Sequence, residues 1–567
     1  MVLRMTDRKW LARAILIGIC CTCALIVDPR GEFPLNDDWS YSRAAFGFAR
    51  TGRIQVDEWS AMSLAGQALY GGFLCKLFGN SFLVLRLSTL VLSCALSLVL
   101  LETFRKLGAS SGLYWVALLA WVFNPIQFCL SFTYMTEIPF LFFIGLGIFF
   151  FVSYLAQGET RFILGCGAAI GYAFLIRQTA AVYLAAMLAT LLLARDSDGW
   201  KQSLRKAWLC AAASIPFVAS YVVWLLLQGG PTPATRRKLD LLARISWEQI
   251  LGNLYGAAFY VSFMLLPLLA YGLPHVARRW RSADQSLRWW VLGAWLLFSA
   301  FGLWWFRAHY SRAQYLMSEA YHDRMPFLLN ILYDTGLGPL TLDPTYYRAA
   351  PTPVYPALWR AVTLAVGVGL AVLGVAASPG VRRASERAVG RCVSFFAAFA
   401  TLSLTAFEVA FSHLEEGGLF DRHVLVAALP AMLLLVAAES KEGARKVSRS
   451  AAAATAIMLA ALAYFCVAAT HDYLQWSRLR WGLGEELLTR NVDPLHVAGG
   501  FEFNGWHNYD AFRSRGNVGQ VYYWWYDKRD YLIAMAPEDG YEIIRRREYF
   551  SWVHRIPVPV YVLKKRE

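Results

Sequence analysis

Thirteen apolar stretches, each about 15–21 residues long, recur along the chain. They run from Leu11–Val27 through Phe82–Leu101, Leu113–Cys129, Ile138–Ala156, Phe162–Ile176, Thr179–Ala194 and Trp208–Leu227. They continue with Leu254–Leu273, Trp289–Phe306, Ala357–Ala377, Val393–Phe411, Val424–Ala438 and Ala451–Ala469. A helix needs about 20 apolar residues to cross a bilayer, whereas barrel strands give only weak alternation over about ten. The pattern therefore predicts an all-α polytopic membrane protein. Composition agrees: 57% of residues are hydrophobic and 16% are charged, against about 25% charged in a soluble domain. A soluble globular enzyme, a disordered chain and a fibrous repeat are excluded.

Lys and Arg assign the sides. Arg4, Arg8, Lys9 and Arg13 precede the first stretch, and alternate short loops carry Arg105 and Lys106, Arg161, Lys201 to Lys206, Arg278 to Arg288, Arg382 to Arg387, and Lys441 to Arg449. Threading thirteen helices puts all of these on one side, expected to be cytoplasmic. Arg236, Arg237 and Lys238 are the main exception, which this threading places on the outer side. The formal net charge of +15 is accounted for by these loops, so no nucleic acid partner is expected. The ten cysteines lie mostly in apolar runs, where Cys behaves as a small hydrophobe, and they show no paired metal-binding spacing.

Residues 1–470 are expected to form the membrane domain, with an outer loop at 28–81 whose pieces Ser40–Arg50 and Ser60–Phe78 read as interfacial helices. Arg307 to Pro356 is a second long outer loop. Residues 471–567 read as a small outer α/β domain with strands near His496–Phe503, Val521–Tyr526, Tyr531–Ala536 and Val558–Leu563. The first stretch is expected to be an anchor rather than a cleaved signal.

The residues that could carry chemistry gather on the outer side. Asn36-Asp37-Asp38-Trp39-Ser40-Tyr41 puts two carboxylates beside a membrane surface. One could be a general base and the other could bind a metal or orient the first; the competing role is a helix cap. Glu137 starts the fourth stretch, where an ionisable group is costly unless it has work to do. Arg177 follows the fifth and needs an anion, for which a lipid phosphate would serve. Arg307, His309 and Arg312 open the second long loop, and Arg422 opens the twelfth stretch between Asp421 and His423.

An acidic pair in the first outer loop, a Thr136-Glu137 pair before the fourth stretch and thirteen spans with an outer C-terminal domain resemble the GT-C fold glycosyltransferases of family 39. That family includes protein O-mannosyltransferases and bacterial aminoarabinose transferases. The resemblance implies an inverting hexosyl- or pentosyltransferase in the bacterial inner membrane, with its site and C-terminus on the periplasmic side. Its donor would be a polyprenyl-phosphate sugar and its acceptor a lipid, glycan or protein hydroxyl. Asp37, Asp38 and Glu137 would be catalytic. Tyr41, Arg177, Arg307, His309, Arg312 and Arg422 would bind substrate, and Mg2+ or Mn2+ could sit at Asp37 and Asp38. The family motif runs acid-acid-x-Arg-Tyr; Ser40 stands here in place of the Arg, so another cation would have to meet the phosphate. Two alternatives are a transporter or flippase of a lipid-linked sugar, and an O-antigen ligase or polymerase.

Overall fold

The computed structural model describes residues 2–194, 199–242, 246–282, 284–309, 324–328, 330–339, 355–377, 388–411, 419–440, 448–516 and 525–566. Eighteen α-helices are described. The first nine are α1 (Val2–Val27), α2 (Asp38–Thr51), α3 (Ala65–Phe78), α4 (Phe82–Lys106), α5 (Ser111–Val122), α6 (Pro125–Ser131), α7 (Glu137–Gln157), α8 (Thr160–Ile176) and α9 (Ala180–Leu193). Then come α10 (Trp200–Leu227), α11 (Pro233–Leu242), α12 (Trp247–Ser282), α13 (Gln285–His309), α14 (Pro356–Ala377), α15 (Ala388–Ala410), α16 (Leu425–Ser440), α17 (Arg449–Thr489) and α18 (Phe501–Ser514).

Every one of the thirteen apolar stretches is helical. Among the described residues, nine helices are long and apolar enough to cross a membrane. The third stretch is instead a pair, α5 and α6, bent by 61°. Asn124 causes the break: its side chain accepts from the amides of Ile126 and Gln127, and Pro125 follows at the first helical position, where its missing N–H costs nothing. The fifth and sixth stretches, α8 and α9, are shorter apolar helices, and the ninth, α13, is helical but is not one of the nine. α8 lies close on α10: a Cβ at Gly167 would fall 2.1 Å from the Cys210 carbonyl oxygen, an approach that small residues permit in lipid.

The two amphipathic pieces of the first loop part company. α3 exposes Phe73, Leu77 and Phe78, as an interfacial helix would. α2 does not lie on a surface. It buries Asp38 through Ser42, Ala44, Ala45 and Phe46, because the C-terminal domain covers the face that was expected to meet lipid. Trp39 is enclosed by Phe501, Tyr509 and Trp525, and a Cβ on Gly505 would fall 2.7 Å from the Trp39 ring.

α17 runs unbroken from an apolar first half into this domain. The sheet holds β3 (Val497–Ala498), β4 (Tyr531–Ala534), β5 (Tyr541–Phe550) and β6 (Pro557–Lys565) in the order β3-β4-β6-β5. β3 and β4 are parallel and the other pairs antiparallel. A two-residue hairpin, β1 (Leu332–Tyr333) with β2 (Gly336–Leu337), sits in the second long loop. Expectation and structure diverge in the tail. The run His496–Phe503 holds only a two-residue strand, since Gly500 precedes the turn into α18. The run Val521–Tyr526 lies largely outside the described residues, and Trp525 and Tyr526 are not in a strand. The sequence reading missed β5, Tyr-Glu-Ile-Ile-Arg-Arg-Arg-Glu-Tyr-Phe, because its exposed charges hide the alternation. Charge on an edge strand blunts pairing with other chains.

Candidate active site

The first loop, the start of α7, the break between α8 and α9 and the turn before α16 converge on one charged array. Its starting point is a turn. Asn36 adopts a left-handed conformation (φ 56°), which Asn tolerates better than most residues. Its amide donates to Glu502 Oε1 at 2.9 Å, and Arg86 of α4 donates to the carbonyls of Pro29, Gly31 and Phe33. The loop is thus held from both sides, and Asp37 and Asp38 leave it with different partners.

Asp38 is buried, and its Oδ2 accepts from the Tyr134 amide at 2.8 Å. Burial pushes its carboxyl well above the usual carboxylate range, while the Tyr134 amide and Arg86 pull the other way. Asp37 is the more open of the two. Its Oδ2 accepts from Arg422 Nη2 at 3.0 Å and its Oδ1 from Trp59 Nε1 at 3.3 Å. The capping role considered for the pair is not taken by Asp37, which makes no side-chain bond to the start of α2.

Glu137 opens α7, a helix end that favours negative charge. Its Oε1 accepts from Arg177 Nη1 at 2.7 Å and lies 3.6 Å from Arg422 Nε. Arg177 breaks the chain between α8 and α9, with extended backbone. The anion it requires is therefore a carboxylate of the protein. Side-chain exposure is 2% for both Glu137 and Arg177, against 8% for Arg422 and 13% for Asp37. The order Asp37, Arg422, Glu137, Arg177 alternates in sign and opens toward solvent at Asp37.

Asp421, Arg422 and His423 divide their work. Asp421 accepts from the amides of Ile331 and Leu332, which anchors the second long loop. Arg422 enters the array. His423 Nδ1 stands 3.8 Å from Glu408 Oε2, whose other oxygen accepts from Thr179 Oγ1 at 3.4 Å. Tyr41 is buried beside the array, and burial pushes its hydroxyl well above its ordinary value, with Asp37 adding to the effect. Ser40 turns away to Asp57 Oδ2, and the cation that meets the first-loop acids is Arg422, distant in sequence.

The structure thus brings together Asp37, Tyr41, Glu137, Arg177 and Arg422, with Asp38 one layer behind. Arg307 and His309 lie in the last turn of α13 with side chains outside the described set, and Arg312 lies outside the described residues. Trp59 went unread: a Trp in a polar loop carries no positional signal until the loop folds over Asp37. For a cation, the donors are poorly disposed. Asp37 faces Arg422 and Trp59, Asp38 faces an amide, and among the described residues no three His, Cys, Asp or Glu side chains converge as a metal would require.

Residues 68–224 match the family model described as dolichyl-phosphate-mannose-protein mannosyltransferase, a segment that contains Glu137 and Arg177 but not Asp37. No curated protein matches the chain. Among solved structures it is similar to the ArnT from Cupriavidus metallidurans bound to undecaprenyl phosphate, with 12% identity, 98% of each chain covered and a TM-score of 0.42. It is also similar to the protein O-mannosyltransferase Pmt1-Pmt2 complex of S. cerevisiae bound to the sugar donor, with 15% identity and a TM-score of 0.30, over 38% of this chain and 34% of that one. The arabinosyltransferase EmbB from Mycobacterium smegmatis gives 15% identity and a TM-score of 0.33, over 82% of this chain and 41% of that one. The chain is a multi-pass α-helical membrane protein that resembles the GT-C fold glycosyltransferases of family 39, and the sequence likeness is carried by residues 68–224.

Proposed function

We propose that the protein transfers a sugar from a polyprenyl-phosphate donor to an acceptor hydroxyl on the outer face of a bacterial inner membrane. The observation that carries this reading is the alternating array, in which the most exposed acid, Asp37, is backed by two buried arginines. Asp37 Oδ2 takes the proton of the acceptor hydroxyl. The hydroxyl oxygen attacks the anomeric carbon from the face opposite the phosphate. The bond from that carbon to the phosphate oxygen breaks, and its electron pair leaves with the lipid phosphate. The configuration inverts.

Arg422 and Arg177 meet the negative charge that grows on the departing phosphate. Glu137 lies between the two guanidiniums and holds them together against their mutual repulsion. Asp38 is a positioning residue, since its bond to the Tyr134 amide sets the turn that leads into Glu137. A divalent ion would meet Asp37 already engaged with Arg422.

The test is transfer from labelled polyprenyl-phosphate sugars in membranes that hold wild type or Asp37→Asn at equal levels. Wild type transfers label and the variant loses the activity. Full activity in Asp37→Asn would remove the base from this scheme, and flux of lipid-linked sugar without transfer would favour the transporter.

A further inference from the structure

The last hairpin of the C-terminal domain reaches back along α17. β5 and β6 are joined by the turn 551–556, and Asp472 of α17 holds it. Ser551 Oγ donates to Asp472 Oδ2 at 2.6 Å, and the amides of Trp552 and Val553 donate to the same carboxylate at 2.8 and 3.1 Å. The His471 ring lies flat on Trp552, with centroids 3.5 Å apart. Tyr464 stands seven residues before His471, on the same face of the helix, and its hydroxyl donates to the Trp552 carbonyl at 2.8 Å. One continuous helix thus fixes the depth of the turn.

That depth falls within an apolar stretch. Ala451–Ala469 ends five residues beyond Tyr464. Along it Ile457 and Tyr464 are 70% and 50% exposed, as residues facing lipid are. Tyr355 stacks on His554 of the turn, with centroids 5.9 Å apart, and immediately precedes the candidate span Pro356–Val375. Three separate elements therefore bring Tyr355, Tyr464 and Trp552 to one level. Tyr and Trp gather where hydrocarbon meets headgroups.

Arg555 sits in this layer. Its backbone is left-handed (φ 57°) and the residue is exposed. Its Nη2 donates to the Tyr464 hydroxyl at 3.4 Å, and among the described residues no carboxylate pairs with it. The arginines of β5 differ: Arg545 and Arg547 pair with Glu486, and Arg546 pairs with Glu548. A guanidinium at the edge of hydrocarbon is costly. A lipid phosphate relieves that cost, because the planar fork of the guanidinium grips it. Phe550, which ends β5 just before the turn, is 54% exposed.

We propose that the β5–β6 turn docks the C-terminal domain on the bilayer, with Arg555 holding the phosphate of an anionic phospholipid in the adjoining leaflet and Phe550 entering the headgroup layer. This contact is independent of the transfer reaction.

The experiment uses the full chain in nanodiscs of phosphatidylcholine and phosphatidylglycerol, with the photoreactive benzoylphenylalanine in place of Phe550. Light is expected to couple the probe to phospholipid. Phosphatidylglycerol should be enriched about fivefold over its share of the bilayer, the worth of one basic residue at an anionic surface. Arg555→Gln should return the captured lipid to the bilayer's own ratio. Arg555→Gly, which suits the left-handed backbone, should do the same, and Arg555→Lys should keep the enrichment. The probe at Ile543, about 23 Å up the strand, should capture several-fold less lipid. Thermal unfolding checks that the variants compared are folded. Failure to capture lipid from position 550, equal capture from position 543, or capture of a second copy of the chain instead overturns the docking. Capture at the bilayer's own ratio with Arg555 present, or enrichment that survives both neutral variants, overturns the assignment of the headgroup to Arg555.

Discussion

Two arginine–carboxylate assemblies in this molecule invite comparison. Arg480 and Glu502 pair at 2.9 Å with both side chains fully buried, and Glu502 also accepts from the Asn36 amide while Arg480 donates to the Gly499 carbonyl. Arg422 and Asp37 pair at 3.0 Å, but the carboxylate keeps contact with solvent. The first assembly clamps the first loop to the C-terminal domain. The second stands a short distance along the same loop and is left open. Two acids only one residue apart, Asp37 and Asp38, fall on opposite sides of the same divide. A sealed charge pair contributes specificity of assembly. A pair with one open face can exchange its partner for a substrate.

Opening or sealing each assembly should therefore give different phenotypes. The largest expected effect is Asp37→Asn, which should lower transfer by about 10²- to 10⁴-fold, the usual worth of a general base, with an unchanged melting temperature. Arg480→Met should do the converse. An uncompensated buried Glu502 costs about 3–5 kcal/mol, visible as a lower unfolding temperature, with specific activity of the folded fraction retained. Equal effects of both changes on stability alone would erase the distinction.

Asp38 gives a smaller, pH-dependent effect. Its carboxyl is raised by burial in the folded state. The folded protein therefore holds a proton that the unfolded chain releases at lower pH. Stability is greatest below the ordinary carboxylate range and declines as pH rises from there toward the raised value. Asp38→Asn should flatten that decline in thermal unfolding measured across pH, while transfer changes by less than about tenfold because the amide oxygen still accepts from Tyr134. A steeper decline in the variant would place the pH dependence elsewhere. The smallest effect is expected from chelation: transfer should survive EDTA, since Asp37 faces a guanidinium. Loss on EDTA with recovery on Mg2+ or Mn2+ would put a cation where Arg422 now stands.

Much of this site was legible before folding. Asp37, Glu137, Arg177 and Arg422 are ionisable residues at the ends of apolar runs, and the high cost of charge near lipid makes such residues conspicuous. Their pairing was not legible. Arg422 meets Asp37 across 385 positions, and nothing in local sequence chooses it over Arg307. The same limit applied to Arg177, for which lipid phosphate and Glu137 were equivalent anions until α7 and α8 packed side by side. The basic α11 stood out in sequence only as a violation of the charge rule.

The sequence by itself determined the membrane class, the helical stretches and the set of ionisable groups at their ends, because hydropathy over about 20 residues and charge at span ends are local properties. Tertiary structure alone decided that α2 is buried rather than interfacial, that Asp38 is sealed and Asp37 open, and that β5 is a strand despite its charges. Each of those outcomes depends on what covers a residue. Cover comes from distant parts of the chain: Tyr134 for Asp38, the C-terminal aromatic residues for Trp39, and β6 for β5.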